Sequence, residues 1–412
     1  MTRKTTKKRA VLILDGQANA LSVVRSLGKQ GVPIYLSAPA ECYALHSRYC
    51  QQTYLIPEGV PLLNYWHKLL LEDPAEELKE AILFPCSDKA IEFVIAHQAE
   101  LEQHYVLEGQ SLQSRQELLD KQHTLRVAKQ AGISIPEFWQ VNKQQDVIDI
   151  MHEVSYPAII KPIHSHLFQA KFDGQKYLAV QNAQELLDKA SRVLNAGLEF
   201  MINEYIPGPD SLLCSYFTYH DQAQQPLYHF TKRIKRRYPV NHGGATYHVT
   251  EWQPEVAKLG QKLLQHIHFT GLCNMEFKRD LRDGELKLIE INARFVASQE
   301  LVYQSGMDIA KIVYQYLDGQ TPDKIEAYQQ HLHLWIPDRD FHAFRQLKQR
   351  GELSFFGWLK SLAHRQVVNY FKLYDPMPWA IKVRDDLSYI GSRLLKKAVQ
   401  LTGGNRAADP NA

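Results

Sequence analysis

The stretch from Glu276 to Arg294 constrains this chain more than any other. It reads Glu276-Phe277-Lys278-Arg279, then Asp280-Leu281-Arg282-Asp283-Gly284, then Glu285-Leu286-Lys287-Leu288-Ile289-Glu290-Ile291-Asn292-Ala293-Arg294. Two runs of alternating apolar and polar residues flank an Asp-Gly pair, a strong short-range hairpin signal. Residues opposite one another in a hairpin have numbers with a constant sum. Glu276 and Glu290 are centred on Asp283, inside the turn, so they are expected to face each other or to miss by one step. Alternation puts Glu290, Asn292 and Arg294 on one strand face and Ile289, Ile291 and Ala293 on the other, buried one. Two facing carboxylates repel each other unless something bridges them. A hard divalent cation does this with one or two side-chain oxygens, completing its shell with water and phosphate oxygens. The alternative is a solvated hairpin face with ordinary surface charges.

At 412 residues the chain has room for two or three domains with sizeable cores. Its 48 Lys and Arg against 45 Asp and Glu leave a net charge of +3, so no global polyanion-binding role, and hence no nucleic-acid partner, is expected. The five cysteines are scattered without a CxxC pair, which fits a reducing compartment rather than a disulfide framework or thiolate metal site. The basic start, Met1 to Arg9, is followed by an apolar run that stops at Asp15, too short for a secretory signal. No stretch approaches the roughly 18 apolar residues needed to span a bilayer. The expectation is a cytoplasmic protein with no transmembrane segment.

Ala10 to Leu14 reads as a buried strand, the pattern Ala20, Leu21, Val24, Leu27 as a helix, and Val32 to Leu36 as a second strand. Strand, helix, strand in about 30 residues predicts a βαβ unit of a doubly wound parallel sheet. A nicotinamide site would need G-x-G-x-x-G in the first turn, and Asp15-Gly16-Gln17 carries one glycine. Ala81 to Phe84 is another strand, leading through Ser87-Asp88 into a helix. Asp15, Ser87 and Asp88 thus fall at strand ends where such sheets hold ligands, although helix capping is the preferred role for Ser87 or Asp88. A helix is predicted from about Ser114 to Ala131, then alternating strands and helices to Glu199. Leu212–Tyr219 and Leu227–Ile234 pair as antiparallel strands, and Glu255–His268 forms a helix. Residues 340 to 374 read as helical and aromatic-rich, with the aromatics packing on the core, and the end from Thr402 as disordered.

Lys161 ends an apolar strand, where a lysine must reach solvent or meet an anion, and Lys121 lies one element earlier. Asn203 to Asp210 is an extended segment broken by Pro207-Gly208. It offers the Glu204 carbonyl and Ile206 N–H to a flat heteroaromatic edge, with Asp210 placed for a ribose hydroxyl. The run Lys232-Arg233-Ile234-Lys235-Arg236-Arg237, followed by Gly243-Gly244, suggests a loop folded over an anion.

Together these pieces resemble the ATP-grasp superfamily from about Arg9 to Gln320, and most of all its carboxylate–amine ligases, the group that includes D-aspartate ligases. The resemblance implies an α/β and α+β fold: an N-terminal doubly wound parallel α/β domain (1–120), a two-lobed ATP-grasp domain (121–325, small lobe to about 200), and a helical C-terminal extension (326–412). It implies that Lys121 and Lys161 reach the α- and β-phosphates, that Asn203, Glu204 and Ile206 bind adenine, and that Asp210 holds the ribose. Glu276, Glu290 and Asn292 match magnesium ligands, with manganese as a substitute. Arg294 and Arg236 match basic residues facing the γ-phosphate or acyl phosphate. The E-I-N-A-R sequence with its upstream E-F-K is the specific part. One departure is the loop after Lys161, Pro162-Ile163-His164-Ser165-His166-Leu167-Phe168, which lacks the family's glycines and leaves Lys171 or Lys176 to close it. His164 and His166 lack a third partner for zinc.

The implied reaction joins a small-molecule carboxylate to an amine through an acyl phosphate, with ATP as phosphoryl donor; a homodimer is compatible with it. A kinase acting on a hydroxyl and a non-catalytic nucleotide-binding scaffold are the other classes. Fold resemblance names no substrate.

Overall fold

The computed structural model describes residues 8–108, 111–163, 167, 168, 171, 172 and 175–403. Most of the loop after Lys161, with His164 and His166, lies outside them, as do both chain ends.

Among the described residues the first sheet has four parallel strands in the order β3-β2-β1-β4. They are β1 (Val11–Leu14), β2 (Ile34–Pro39), β3 (Cys50–Ile56) and β4 (Ile82–Pro85). The fully buried VLIL of β1 is what a strand covered on both faces requires, and helix α1 (Ala18–Lys29) supplies the first crossover. Helix α2 (Asp88–Ala96) follows β4, with Ser87 as its N-cap accepting from Ala90 N at 3.2 Å. The long helix expected from Ser114 to Ala131 is two helices. Asp120 breaks it, its carboxylate accepting from Gln122 N and His123 N to start α3 (Lys121–Gln130).

A second, antiparallel sheet is ordered β5-β8-β6-β7, with β5 (Phe138–Val141), β6 (Ala158–Pro162), β7 (Leu178–Val180) and β8 (Phe200–Glu204). Ala158, Ile160, Phe200 and Ile202 bury one face against Leu186, Ala190 and Val193 of α4 (Ala183–Asn195). Alternation leaves Ile159, Lys161, Met201 and Asn203 on the other face, with Lys161 opposite Met201 and Ile159 opposite Asn203.

The third sheet has the order β13-β12-β9-β10-β11-β14-β15. Its strands are β9 (Leu213–His220), β10 (Phe230–Tyr238), β11 (Gly244–Thr250), β12 (Gly271–Arg279), β13 (Leu286–Asn292), β14 (His333–Trp335) and β15 (Gln366–Val367). Cys214, Tyr216, Met275, Phe277 and Leu288 bury one face on Val256, Leu263 and Leu264 of α5 (Pro254–His266). A Cβ at Gly260 would lie 2.3 Å from the Tyr216 ring, so this helix can approach only because position 260 carries no side chain. At one end of the opposite face, Phe217, Tyr219, Phe230 and Leu272 share a core with the helix packed on the first sheet.

Strand β10 continues through the basic run to Tyr238, beyond the Ile234 expected as its end, so the loop suggested to fold over an anion is the short connection from Tyr238 to Gly244. Two short strands after residue 330 extend the sheet beyond what the sequence suggested. Helices α6 (Pro337–Gln349) and α7 (Phe355–Leu362) follow, with a final helix over Met377–Gly403. The extension is fastened to the first domain by Arg25. Its buried guanidinium donates to Asp375 Oδ2 at 2.9 Å and to the Asn369 and Tyr370 carbonyls at 2.8 Å.

Candidate active site

In the β12–β13 pair, Glu276 is the direct partner of Glu290 and Asn274 of Asn292. One step on, Phe277 pairs with Leu288, so Ile289 is an extra, bulged residue. The bulge shifts the register by one and places Lys287, opposite Lys278, on the same face as Glu276. It also gives the hairpin a bend where Lys161, from the cleft-facing side of the second sheet, donates to the Ile289 carbonyl at 3.1 Å. Lys121 Nζ sits next to it, donating to the Pro162 and Ile163 carbonyls at 2.8 and 2.9 Å. The two lysines and two carboxylates expected to meet do meet, across a cleft between the second and third sheets.

The charges there are not balanced in the usual pairwise way. Burial, with Glu290 opposite, raises Glu276 above the ordinary carboxylate range. Burial acts on Glu290 too, but Lys161, Lys176 and Lys121 outweigh it and hold that carboxyl below its usual value. Burial lowers Lys121 to about 8, and nearby Lys161 pushes the same way. Lys161 is lowered by burial despite both glutamates. Among the described residues no group of three or more His, Cys, Asp or Glu could hold a metal. The donor set on offer is therefore Glu276, Glu290 and the Asn292 amide, whose Nδ2 lies 3.4 Å from Glu290 Oε1. Such an all-oxygen, incomplete set fits a magnesium ion that draws its remaining ligands from phosphate and water.

Lys232 was missed at the sequence level because it was grouped with its basic neighbours. Register places Thr250, Lys232, Ser215, Glu276 and Glu290 in one row across five strands. Lys232 is buried, and burial lowers its pKa while Glu276 opposes the shift. Counting partners outward from the hairpin would have found it.

Asn203 lies on the cleft face with its Oδ1 buried and unpartnered among the described residues, an acceptor suited to an exocyclic amine. The Glu204 side chain is drawn to Arg282 and, at 3.7 Å, to Lys287, and its Oε2 accepts from Glu137 N at 3.0 Å. Lys278 donates to the Ile206 and Gly208 carbonyls at 2.7 and 3.0 Å, fixing the segment after β8. Asp210 is buried and already held by Arg237, with Nε–Oδ1 at 2.7 Å, and by the Arg237 and Asn241 N–H groups.

The two arginines part company. Arg294 reaches Asp88 at the head of α2, Nε–Oδ1 at 2.6 Å, bringing the hairpin to the strand ends of the first sheet. Asn19 ties the same junction, donating to the Cys86 and Phe295 carbonyls at 2.8 and 3.0 Å. Arg236, expected beside the γ-phosphate, does not join the cleft group. Its guanidinium grips Asp340 of α6 with two bonds of 2.8 Å, donates to Ser361 Oγ at 2.8 Å and lies over the Tyr247 ring.

Two lobes of antiparallel sheet with an acidic hairpin beneath paired lysines can now be set beside known proteins. A family model described as ATP-grasp in the biosynthetic pathway with Ter operon matches residues 220–335. The biotin carboxylase domain of Hydrogenobacter thermophilus 2-oxoglutarate carboxylase, solved with MgADP, ADP and bicarbonate, superposes with a TM-score of 0.59. It is 18% identical, over 79% of this chain and 74% of that one. The chain shares the fold of that domain, and its segment 220–335 is similar to the ATP-grasp family model. The L-amino acid ligase of Bacillus licheniformis shares the fold at a TM-score of 0.56 and 16% identity, over 76% of this chain and 75% of the ligase. In sequence, D-aspartate ligase of Enterococcus faecium (strain Aus0004) is 24% identical over 261 residues, which is 60% of this chain and 61% of that protein. The chain thus spans under two thirds of that relative's length.

Proposed function

We propose that the chain is an ATP-dependent ligase that joins a carboxylate, of an amino acid or similar small molecule, to an amine through an acyl phosphate. The observation that carries this reading is the Glu276–Glu290 pair, set face to face beneath Lys121 and Lys161. A hairpin that faces two carboxylates and crowds two lysines over them is costly as it stands and is resolved by a cation together with a polyphosphate. The kinship with D-aspartate ligase and the fold shared with L-amino acid ligase favour an amine as acceptor.

Magnesium, or manganese in its place, would neutralise charge on the β- and γ-phosphate oxygens when held by Glu276, Glu290 and Asn292. Lys121 and Lys161 would exchange their backbone carbonyl partners for α- and β-phosphate oxygens, and an anion there restores the charge that burial disfavours. Asn203 and the backbone of Glu204 and Ile206 would hold adenine, with the ribose sharing Asp210 with Arg237. A carboxylate oxygen attacks the γ-phosphorus and ADP leaves; the amine nitrogen then attacks the acyl carbon, phosphate departs, and the amine's proton passes to solvent. Arg294 would swap Asp88 for an anionic oxygen and stabilise the tetrahedral intermediate, and Lys232 would add charge from the same row as Glu276. Arg236 is assigned to holding the extension. The small lobe (121–200) would close on the large one (201–325), in the cytoplasm where ATP is made.

The test is ADP release by the purified chain with pools of carboxylic acids and amines. A ligase needs both, and hydroxylamine in place of the amine should trap the acyl phosphate as a hydroxamate. ADP release with a hydroxyl acceptor and no amine would establish a kinase instead, and no turnover with any pool would leave a binding scaffold.

A further inference from the structure

The expectation that the C-terminal aromatics pack on the core holds for only part of them. Trp358 is tucked inward, its indole N–H donating to Asp340 Oδ2 at 3.0 Å and its ring stacked on Phe344. Helix α7, however, has no buried residue. Spacing along a helix puts Phe355, Phe356 and Leu359 on one stripe, away from Ser361 and with Phe355 at its edge against the Trp358 ring (centroids 6.3 Å apart), and they are 46%, 80% and 44% exposed. Phe341 of α6, 46% exposed, adjoins the stripe through Trp358. The helix is amphipathic with its hydrocarbon side to water, and the hydrophobic effect opposes leaving such a face uncovered.

Charge says what covers it. Residues 337–403 carry twelve Lys and Arg against six Asp and Glu, although the whole chain is only +3. Two of those six acids, Asp340 and Asp375, are fully buried and matched by Arg236 and Arg25 from outside the segment. Helical spacing puts Arg345 and Lys348 on the Phe341 side of α6 and Lys360 one turn from Phe356 on α7; with Arg365, just past α7, they are exposed and form no ion pair among the described residues. No helix is long and apolar enough to cross a membrane. An apolar stripe flanked by unpaired cations, on a helix too short to span, is the pattern of a segment that lies in a lipid headgroup layer.

We propose that this face, formed by α7 and the exposed side of α6, docks the protein on an anionic lipid bilayer. Phe355, Phe356 and Leu359 enter the headgroup boundary while Arg345, Lys348, Lys360 and Arg365 meet lipid phosphates. The ATP-binding reading above is not required for this, since none of these residues lies in the cleft.

The full chain, mixed with phosphatidylcholine vesicles containing about 30 mol% phosphatidylglycerol, should float with them and should bind pure phosphatidylcholine far less; added salt should release it. Phe356→Glu with Leu359→Glu should weaken partitioning at least about tenfold. Arg345→Glu with Lys348→Glu should do likewise without touching the apolar stripe, and both variants should melt like the parent because the altered side chains are exposed. Absence of binding to anionic vesicles, or binding that the variants leave unchanged, overturns the proposal. So does a parent dimer in sedimentation equilibrium that Phe356→Glu dissociates, which would make a second copy the occupant.

Discussion

Two stretches of the large sheet are unusually rich in charge, and they resolve it in opposite ways. On β10 every arginine finds its own acid. Arg233 pairs with Glu251 at 2.7 Å, Arg236 with Asp340 and Arg237 with Asp210. Around the Glu276–Glu290 pair of the β12–β13 hairpin the charges stay in conflict: the two carboxylates face each other, and burial lowers Lys121, Lys161 and, from β10 itself, Lys232. Matched charge holds the fold together, whereas frustrated charge marks where something absent from the chain belongs. A basic run is therefore weaker evidence of a binding site than a pair of acids that have no reason to meet.

The sharpest way to break this comparison is to remove an acid from each side. Glu290→Ala should cost about 10³-fold in ATP turnover, taking removal of one preorganised charge as the guide, and should leave the melting temperature equal or higher because a like-charge contact disappears. Turnover at the parent rate would end the metal assignment. Asp340→Ala should do the reverse. It strands the buried Arg236 guanidinium and should cost about 3 kcal/mol in chemical denaturation, with per-molecule turnover of the remaining folded protein retained. If Asp340→Ala instead lost turnover while staying stable, Arg236 would belong to the chemistry after all.

The smallest effect concerns pH. Lys121 ionises at about 8 in the fold against 10.5 for the free side chain. Between those values the unfolded chain binds the extra proton, so this group makes the nucleotide-free protein more stable as pH rises from about 8 towards 10.5. Below about 8 the charged, buried lysine is a standing cost. Lys121→Met should therefore stabilise the protein most near neutrality, and the advantage should shrink through that window. A difference between variant and parent that stays flat with pH would show that Lys121 is not desolvated.

Much of this was legible from local rules. The constant-sum argument from Asp283-Gly284 gave the Glu276–Glu290 contact, because hairpin register is a short-range property. It did not give the bulge at Ile289, where no glycine or proline marks the extra residue. Asp120 could have been recognised as a cap, since it opens the Lys121 helix, but the apolar pattern runs through it. Arg294 meeting Asp88, and Arg236 meeting Asp340, join residues 206 and 104 apart in sequence, and no local pattern encodes such a meeting. The three-residue β14 is shorter than any periodicity can reveal.

The central claim is that Glu276 and Glu290 hold a divalent cation together with the nucleotide. Calorimetric titration of ATP into the parent and into Glu276→Gln with Glu290→Gln, each with and without magnesium, tests it directly. Magnesium should tighten ATP binding to the parent and make no difference to the double variant. An equal magnesium effect on both proteins would contradict the account.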